Sequence, residues 1–227
     1  MSNKPKLKLA AFDMDGTLTS VRSSWEYLHQ RLGIWDGQAE RYQDRFLAGE
    51  ISYEEFCRLD ADMWKGMALE QMASILDEIP VHKSAGELIK LVTKMGARPA
   101  LLSTGLKLLA DRLAERMSFS FHLANELVHH RGIMTGEIVV HISTHPPGKT
   151  KGTLIKELMS QTGASQQETV AIGDSTGDMD MFLEAGLAIA VNPKTSDLKV
   201  LQAQIPNLVT VQHLHEATSI IKSQYDM

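Results

Sequence analysis

The stretch FDMDGTLTS, from Phe12 to Ser20, closes an apolar run with two aspartates two positions apart and follows them with a Gly-Thr turn. Residues two apart on an extended strand point to the same side, so the carboxylates of Asp13 and Asp15 can face one reacting centre. A polar turn is the plain alternative for an isolated Asp-x-Asp. What decides is whether other reactive side chains reach the same place. Three stretches supply them: Ser103 in LLSTGL, Lys151 in GKTKGTLIKEL, and Asp174 with Asp178 in AIGDSTGDMD.

The elements that must position them are legible as periodicity. Residues 7–12, 97–102, 169–172 and 187–191, with a weaker run at 208–211, are short and mostly apolar, as in strands covered on both faces. Helical stripes lie between them. Ser84 with Glu87 reads as a capping box ahead of Leu88, Leu91, Val92 and Met95, closed by Gly96. Leu106, Leu109, Leu113 and Met117 form a second stripe, and Leu154, Ile155, Leu158 and Met159 a third that ends at Gly163. Residues 125–140 read as a hairpin around Arg131-Gly132 or as a strand with a bent extension. The alternation predicts an α/β fold, a three-layer, doubly wound and mostly parallel sheet.

Ligands in such sheets bind beyond the carboxyl ends of the strands. Asp13, Ser103 and Asp174 stand at three of those ends, and Lys151 opens a helix. One block breaks the rhythm. Residues 21–82 contain no convincing strand but several short helices, with capping boxes at Ser23/Glu26 and Ser52/Glu55. Trp25, Leu28, Leu32 and Trp35 form one stripe there, and Met72, Ile75, Leu76 and Ile79 another that stops at Pro80.

With DMDGT, LLST, Lys151 and GDSTGD in this order, and EAGLAIAVNP trailing them, the chain resembles the haloacid dehalogenase superfamily of aspartate-dependent phosphohydrolases. Within it, the resemblance is to the phosphoserine-phosphatase-like branch, of subfamily IB type. It implies a HAD-like, Rossmannoid core over residues 1–20 and 83–227, with residues 21–82 inserted as a small helical cap domain. It implies a phosphomonoesterase in which Asp13 attacks phosphorus and forms an aspartyl-phosphate. Mg2+ would be held by the side chains of Asp13 and Asp174 and by the Asp15 carbonyl, with Asp178 beside them. Ser103, Thr104 and Lys151 would bind phosphate, and Asp15 would serve as general acid and then general base.

Elementary chemistry agrees with these roles. A phosphate monoester is a dianion that repels a carboxylate nucleophile, and this set of aspartates is too acidic a cluster without a cation. All-oxygen ligands suit Mg2+. Phosphotransferase or mutase activity, in which a substrate hydroxyl replaces water, is the alternative enzyme reading. A receiver-like signalling module or a non-catalytic binder fits less well, because neither needs Asp15 or a cap.

The chain departs from the phosphoserine-specific pattern where the substrate should be recognised. Arg22 stands in place of a glutamate associated with the substrate amine, and Asp60 aligns with an arginine that grips its carboxylate. The reversal implies a substrate other than phosphoserine, or a pocket arranged around an Arg22–Asp60 pair. Gly177 also replaces a usual asparagine before Asp178.

Composition sets the outer bounds. The 227 residues are 43% hydrophobic and 22% charged, with net charge −5 and no basic block, which argues against nucleic-acid partners. The single cysteine, Cys57, suits a reducing compartment. The apolar run before Asp13 is too short for a signal peptide or a membrane span. The expectation is a cytoplasmic enzyme acting on a small phosphorylated metabolite. The nine histidines lack the spacing of a zinc site. GKT at 148–150 lacks the first glycine of a P-loop, since Ser143 stands there.

Overall fold

The computed structural model describes residues 4–226. The apolar runs become β1 Leu9–Phe12, β2 Arg98–Leu106, β3 Phe121–His130, β4 Ile133–Val139, β5 Thr169–Gly173, β6 Leu187–Val191 and β7 Leu208–Val211. They form a sheet of order β4-β3-β2-β1-β5-β6-β7. Every neighbouring pair is parallel except β3–β4. The chain crosses from β1 to β2 on one side and later to β5 on the other, so β1 lies at the switch point where such sheets bind ligands. Asp13 leaves β1 there, and its N–H donates to the Ile172 carbonyl at 2.9 Å.

Successive side chains of each strand face opposite ways, and the core splits accordingly. Leu9 and Ala11 pack on one face with α7 Lys151–Thr162, α8 Met179–Glu184 and α9 Thr195–Gln204. Ala10 and Phe12 pack on the other with α5 Ala85–Lys94, α6 Lys107–Arg116 and α10 Glu216–Gln224. Four helices lie between β1 and α5: α1 Ser24–Leu32, α2 Glu40–Leu47, α3 Tyr53–Met63 and α4 Leu69–Asp77. Their apolar interior is continuous with the second face, running from Phe12 through Met14 and Leu18 to Trp25, Leu28 and Trp64. No helix among the described residues is long and apolar enough to cross a membrane.

Several local expectations shift for identifiable reasons. Ser84 takes helical dihedrals itself (φ −76°, ψ −11°), so its hydroxyl makes no capping bond, and the Ala85 N–H donates to the His82 carbonyl instead. Ser23 and Ser52 are extended and do cap, accepting from the N–H groups of Glu26 and Glu55. Gly33 ends α1 in the left-handed region (φ 70°), which puts Trp35 in a separate π-helical turn rather than on the α1 stripe. The hairpin forms as read, with Arg131 (φ 51°) and Gly132 (φ 79°) in its two-residue turn. Its tip is covered by the loop before α4, through Gly66 N–H to the Met134 carbonyl and Leu69 N–H to the Gly132 carbonyl.

The largest difference lies in β2, which continues past Leu102 to Leu106. Its register on β3 shifts between those residues: Leu102 faces Leu123, whereas Leu106 faces Asn125. Four steps along one strand match two along the other, so Ser103–Gly105 bulges out at the carboxyl end of the sheet. A Cβ on Gly105 would lie 2.7 Å from Asp15 Oδ2. The bulge therefore presses the backbone against that carboxylate, and only glycine fits.

Asp60 does not meet Arg22. It is buried in the helical block, with its Oδ2 3.4 Å from His29 Nε2 and both side chains fully enclosed. The His29 ring rests on Trp64 at 4.5 Å between centroids. Burial raises the Asp60 pKa and His29 opposes the rise. Two buried partners of this kind are costly to separate and cheap to replace together. The His29→Leu variant should lose about 3 kcal/mol of unfolding free energy, and adding Asp60→Leu should restore most of it. Denaturant titration of the two variants checks this; a double variant less stable than His29→Leu alone would contradict the pairing.

Candidate active site

The central contact is made by Lys151. Thr150 caps α7, accepting from the Thr153 N–H while Thr153 Oγ1 accepts from the Thr150 N–H, so Lys151 occupies the first helical position. Gly152 lets α7 approach closely: its N–H donates to Asp180 Oδ2 at 2.7 Å, and a Cβ there would lie 2.9 Å from the Asp180 carbonyl oxygen. Lys151 Nζ thereby reaches Asp13 Oδ1 and Asp178 Oδ1, each at 2.6 Å, and is buried. Lys149, two residues earlier in the same stretch, is on the surface with Glu157.

Asp178 is committed to holding the others. Its Oδ2 accepts from the N–H groups of Asp174 (2.9 Å) and Ser175 (3.2 Å), while Oδ1 takes the lysine. Asp13, Asp174 and Asp178 each bring one oxygen within 4.8 Å of the others. Asp174 Oδ2 receives Arg22 Nη1 at 2.6 Å, and Arg22 Nη2 donates to the Asn192 carbonyl at 2.5 Å. Gly16, in the left-handed region (φ 76°), completes the packing; a Cβ there would lie 2.4 Å from Asp174 Oδ2.

Asp15 is held apart from this cluster by Ser24, the first residue of α1. Its Oδ2 accepts from the Ser24 N–H (2.8 Å) and hydroxyl (2.7 Å), while Oδ1 is buried without a hydrogen-bond partner. The two carboxylates of the opening motif are thus unequal. One faces an ammonium; the other has one oxygen anchored and one available.

The bulge of β2 is fixed by an unusual convergence. The Thr104 carbonyl accepts from Trp25 Nε1 (3.1 Å), the Tyr53 hydroxyl (2.9 Å) and Asn125 Nδ2 (3.1 Å). Within the bulge the Gly105 N–H donates to Ser103 Oγ at 3.0 Å. Asn125 Oδ1 also accepts from the N–H groups of His141 and Ile142, both at 2.9 Å. One buried amide therefore joins the bulge, the helical block and the segment leading to Lys151. Asn125, Ser24 and Tyr53 were not singled out from sequence, because each looks like an ordinary strand or cap residue until the fold supplies its partner.

Electrostatics show what the site lacks. Four buried carboxylates, from Asp13, Asp15, Asp174 and Asp178, face two cationic side chains, Lys151 and Arg22. Burial raises the Asp13 pKa to about 7, with Lys151 opposing and Asp178 reinforcing the rise. Burial, then Asp178 and Asp13, raise Asp174 to about 8 against the pull of Arg22. Burial also raises Asp15, against its bonds from Ser24. For Lys151 burial disfavours the ammonium, but Asp13 and Asp178 outweigh it and keep the pKa above the usual lysine range. The deficit matches a divalent cation, and the donors are oxygens, which suit a hard ion. Among the described residues, no hydrogen bond engages Asp13 Oδ2 or Asp174 Oδ1, leaving both able to bind one.

Comparison with known proteins agrees with the geometry. A sequence profile of haloacid dehalogenase-like hydrolases matches residues 10–183. A phosphoserine phosphatase of Archaeoglobus fulgidus is 29% identical over 95% of this chain and 60% of its own length. Phosphoserine phosphatase SerB2 of Mycobacterium tuberculosis is 30% identical over 91% of this chain and 50% of its own. The chain thus spans only part of those two relatives. A solved phospho-aspartyl intermediate analogue of phosphoserine phosphatase superposes with a TM-score of 0.79 at 24% identity, covering 96% of this chain and all of that one.

Two measurements follow from the site. The raised carboxylates bind more protons folded than unfolded, so the metal-free protein should lose stability as pH rises from the ordinary carboxylate range through 7 to 8. Millimolar divalent cation should therefore raise the melting temperature more at pH 8 than at pH 6; an equal shift at both would contradict the charge deficit. Asn125→Asp keeps the acceptor but removes the donors to Thr104 and Tyr53. It should cost about 2–3 kcal/mol of stability by denaturant titration, and wild-type stability would show that the convergence on Thr104 is unimportant.

Proposed function

We propose, for a chain that belongs to the haloacid dehalogenase-like hydrolase family, that it is a Mg2+-dependent phosphomonoesterase of the phosphoserine-phosphatase-like kind acting on a small phosphorylated metabolite. The observation that carries the reading is the unequal treatment of the two strand-end carboxylates: Asp13 beside Lys151, and Asp15 anchored on one oxygen by Ser24. The bond to Lys151 Nζ fixes the orientation of Asp13, so that one carboxylate oxygen can attack phosphorus while the other faces the cation. The phospho-aspartyl form of the solved relative supports the same intermediate here.

In the first step Asp13 forms a bond to phosphorus as the bond to the leaving alkoxide breaks. Asp15 gives that oxygen its proton. Burial, which raises the Asp15 pKa, favours the protonated form this step requires. In the second step Asp15 takes a proton from water as the water oxygen attacks phosphorus, releasing phosphate and restoring Asp13. Lys151, Ser103 and the backbone N–H groups of the bulge, including that of Thr104, are the groups we assign to the phosphate oxygens. Asp13, Asp174 and the Asp15 carbonyl would hold Mg2+, which supplies positive charge beside the phosphate.

Residues 21–82 are read as a cap inserted into a core of residues 1–20 and 83–227. Its helices reach the bulge through Trp25 and Tyr53 and Asp15 through Ser24, so closing the cap would complete the acid/base site. The buried, free Cys57 is consistent with a cytoplasmic enzyme.

The test is turnover of aryl and alkyl phosphates. Wild type should hydrolyse p-nitrophenyl phosphate with Mg2+ and stop on chelation, and Asp13→Asn should abolish the reaction. Asp15→Asn should lose far more activity on an alkyl phosphate, whose leaving group needs a proton, than on p-nitrophenyl phosphate. Wild-type-like turnover by Asp13→Asn would remove the nucleophile assignment; equal losses by Asp15→Asn on both substrates would remove the acid.

A further inference from the structure

A cavity of 650 Å³ opens beside Asp174, on the side where the chain enters and leaves residues 21–82. Gly16 and Arg22, the two residues packed on Asp174 Oδ2, form its inner wall. Around the rest stand Lys83, His82, His213 and His215, with Glu87 as the lone carboxylate among the lining side chains. In a protein of net charge −5 this is a local reversal of sign.

The groups are suited to an oxyanion. Arg22 has five N–H donors; its bonds to Asp174 and Asn192 are made through Nη1 and Nη2, and its side chain, one-third exposed, lines the cavity. The His213 and His215 rings stack at 5.6 Å and 12°, presenting two imidazole edges together. Burial, and then His213, lower the His82 pKa and favour its neutral form. Arg22 and Lys83 bring positive charge to the cavity, and imidazole rings beside them can donate N–H groups to an anion. Charge-assisted bonds of this kind are the strong ones for phosphate and carboxylate.

We propose that this cavity is a second anion subsite, so that the substrate is a phosphomonoester carrying a second phosphate or carboxylate. Arg22 is the residue between the reacting phosphate's site and the remote one. This rests on the phosphomonoesterase reading and narrows it to esters that turn an anionic group, and not an ammonium, toward the Arg22 guanidinium. The cavity also lies against the paired segments that lead into and out of the helical block. Ser20 N–H donates to the Pro80 carbonyl and His82 N–H to the Leu18 carbonyl. An anion bound there touches both segments and the end of β7 at once.

The experiment compares wild type with Lys83→Ala/His213→Ala, two exposed positions outside the catalytic groups, after confirming equal melting temperatures. Alkanediol bisphosphates and ω-phosphoryloxy carboxylates are assayed against alkyl monophosphates of the same chain length. Wild type should favour one dianionic series by about tenfold or more in kcat/KM, and the series favoured identifies the second anion. The double variant should lose that preference, mostly through KM, while its kinetics on the monophosphates stay unchanged. Calorimetric binding of propane-1,3-bisphosphonate and 3-phosphonopropanoate to both proteins reads the subsite without turnover. Binding weakened about tenfold in the variant supports the subsite even if no phosphate ester is hydrolysed, in which case only the enzymatic reading fails. Unchanged preference and unchanged binding in the variant overturn the subsite.

Discussion

One lysine ammonium, buried between the carboxylates of Asp13 and Asp178 at 2.6 Å from each, sets the terms for the rest of the site. Removing charges from water costs several kcal/mol each, and only short, well-directed pairing offsets that. The pairing demands that β1, α7 and the turn after β5 meet within a few tenths of an ångström. Gly152 brings α7 onto α8, Gly173 brings the strand end against Asp178, and the Thr150 cap fixes the first turn of α7. A Cβ on Gly173 would lie 2.4 Å from Asp178 Cγ. The sheet places the strand ends, and these glycines let the charges touch.

The same arrangement leaves the charges unbalanced. Lys151 serves Asp13 and Asp178 together, and Arg22 serves Asp174 from the edge. Burial therefore raises both Asp13 and Asp174. In the proposed reading, a site in this condition would take up a cation and, with it, an anionic ester. Stability is given up where binding energy is to be gained, the usual trade at a functional site.

Much of this was legible in the sequence. The order of apolar runs gave the sheet, and the strand ends named Asp13, Ser103 and Asp174 because ligand position follows from topology. Lys149 and Lys151 stand two residues apart, and only the fold separates them, one on the surface and one buried on Asp13. The rest depends on long-range contacts with no local signature. Ser24 looks like a helix-start serine until it is seen on Asp15, and Asn125 looks like a strand residue until three segments converge on it. An Arg22–Asp60 pair was one of two readings of the departure from the phosphoserine-specific pattern; burial assigns Asp60 to His29 and leaves Arg22 with Asp174. Charge reversal between two positions signals a changed environment and not a contact.

The claim that Asp13 is the attacking group underlies every other role, and trapping the phosphoenzyme tests it most directly. Asp15→Asn should react with p-nitrophenyl phosphate to form the aspartyl-phosphate and hydrolyse it slowly. Rapid acid quench, borohydride reduction and mass spectrometry of the peptide spanning FDMDG should then place the reduced residue at position 13. Modification at another residue, or none while product is still being formed, would contradict the account.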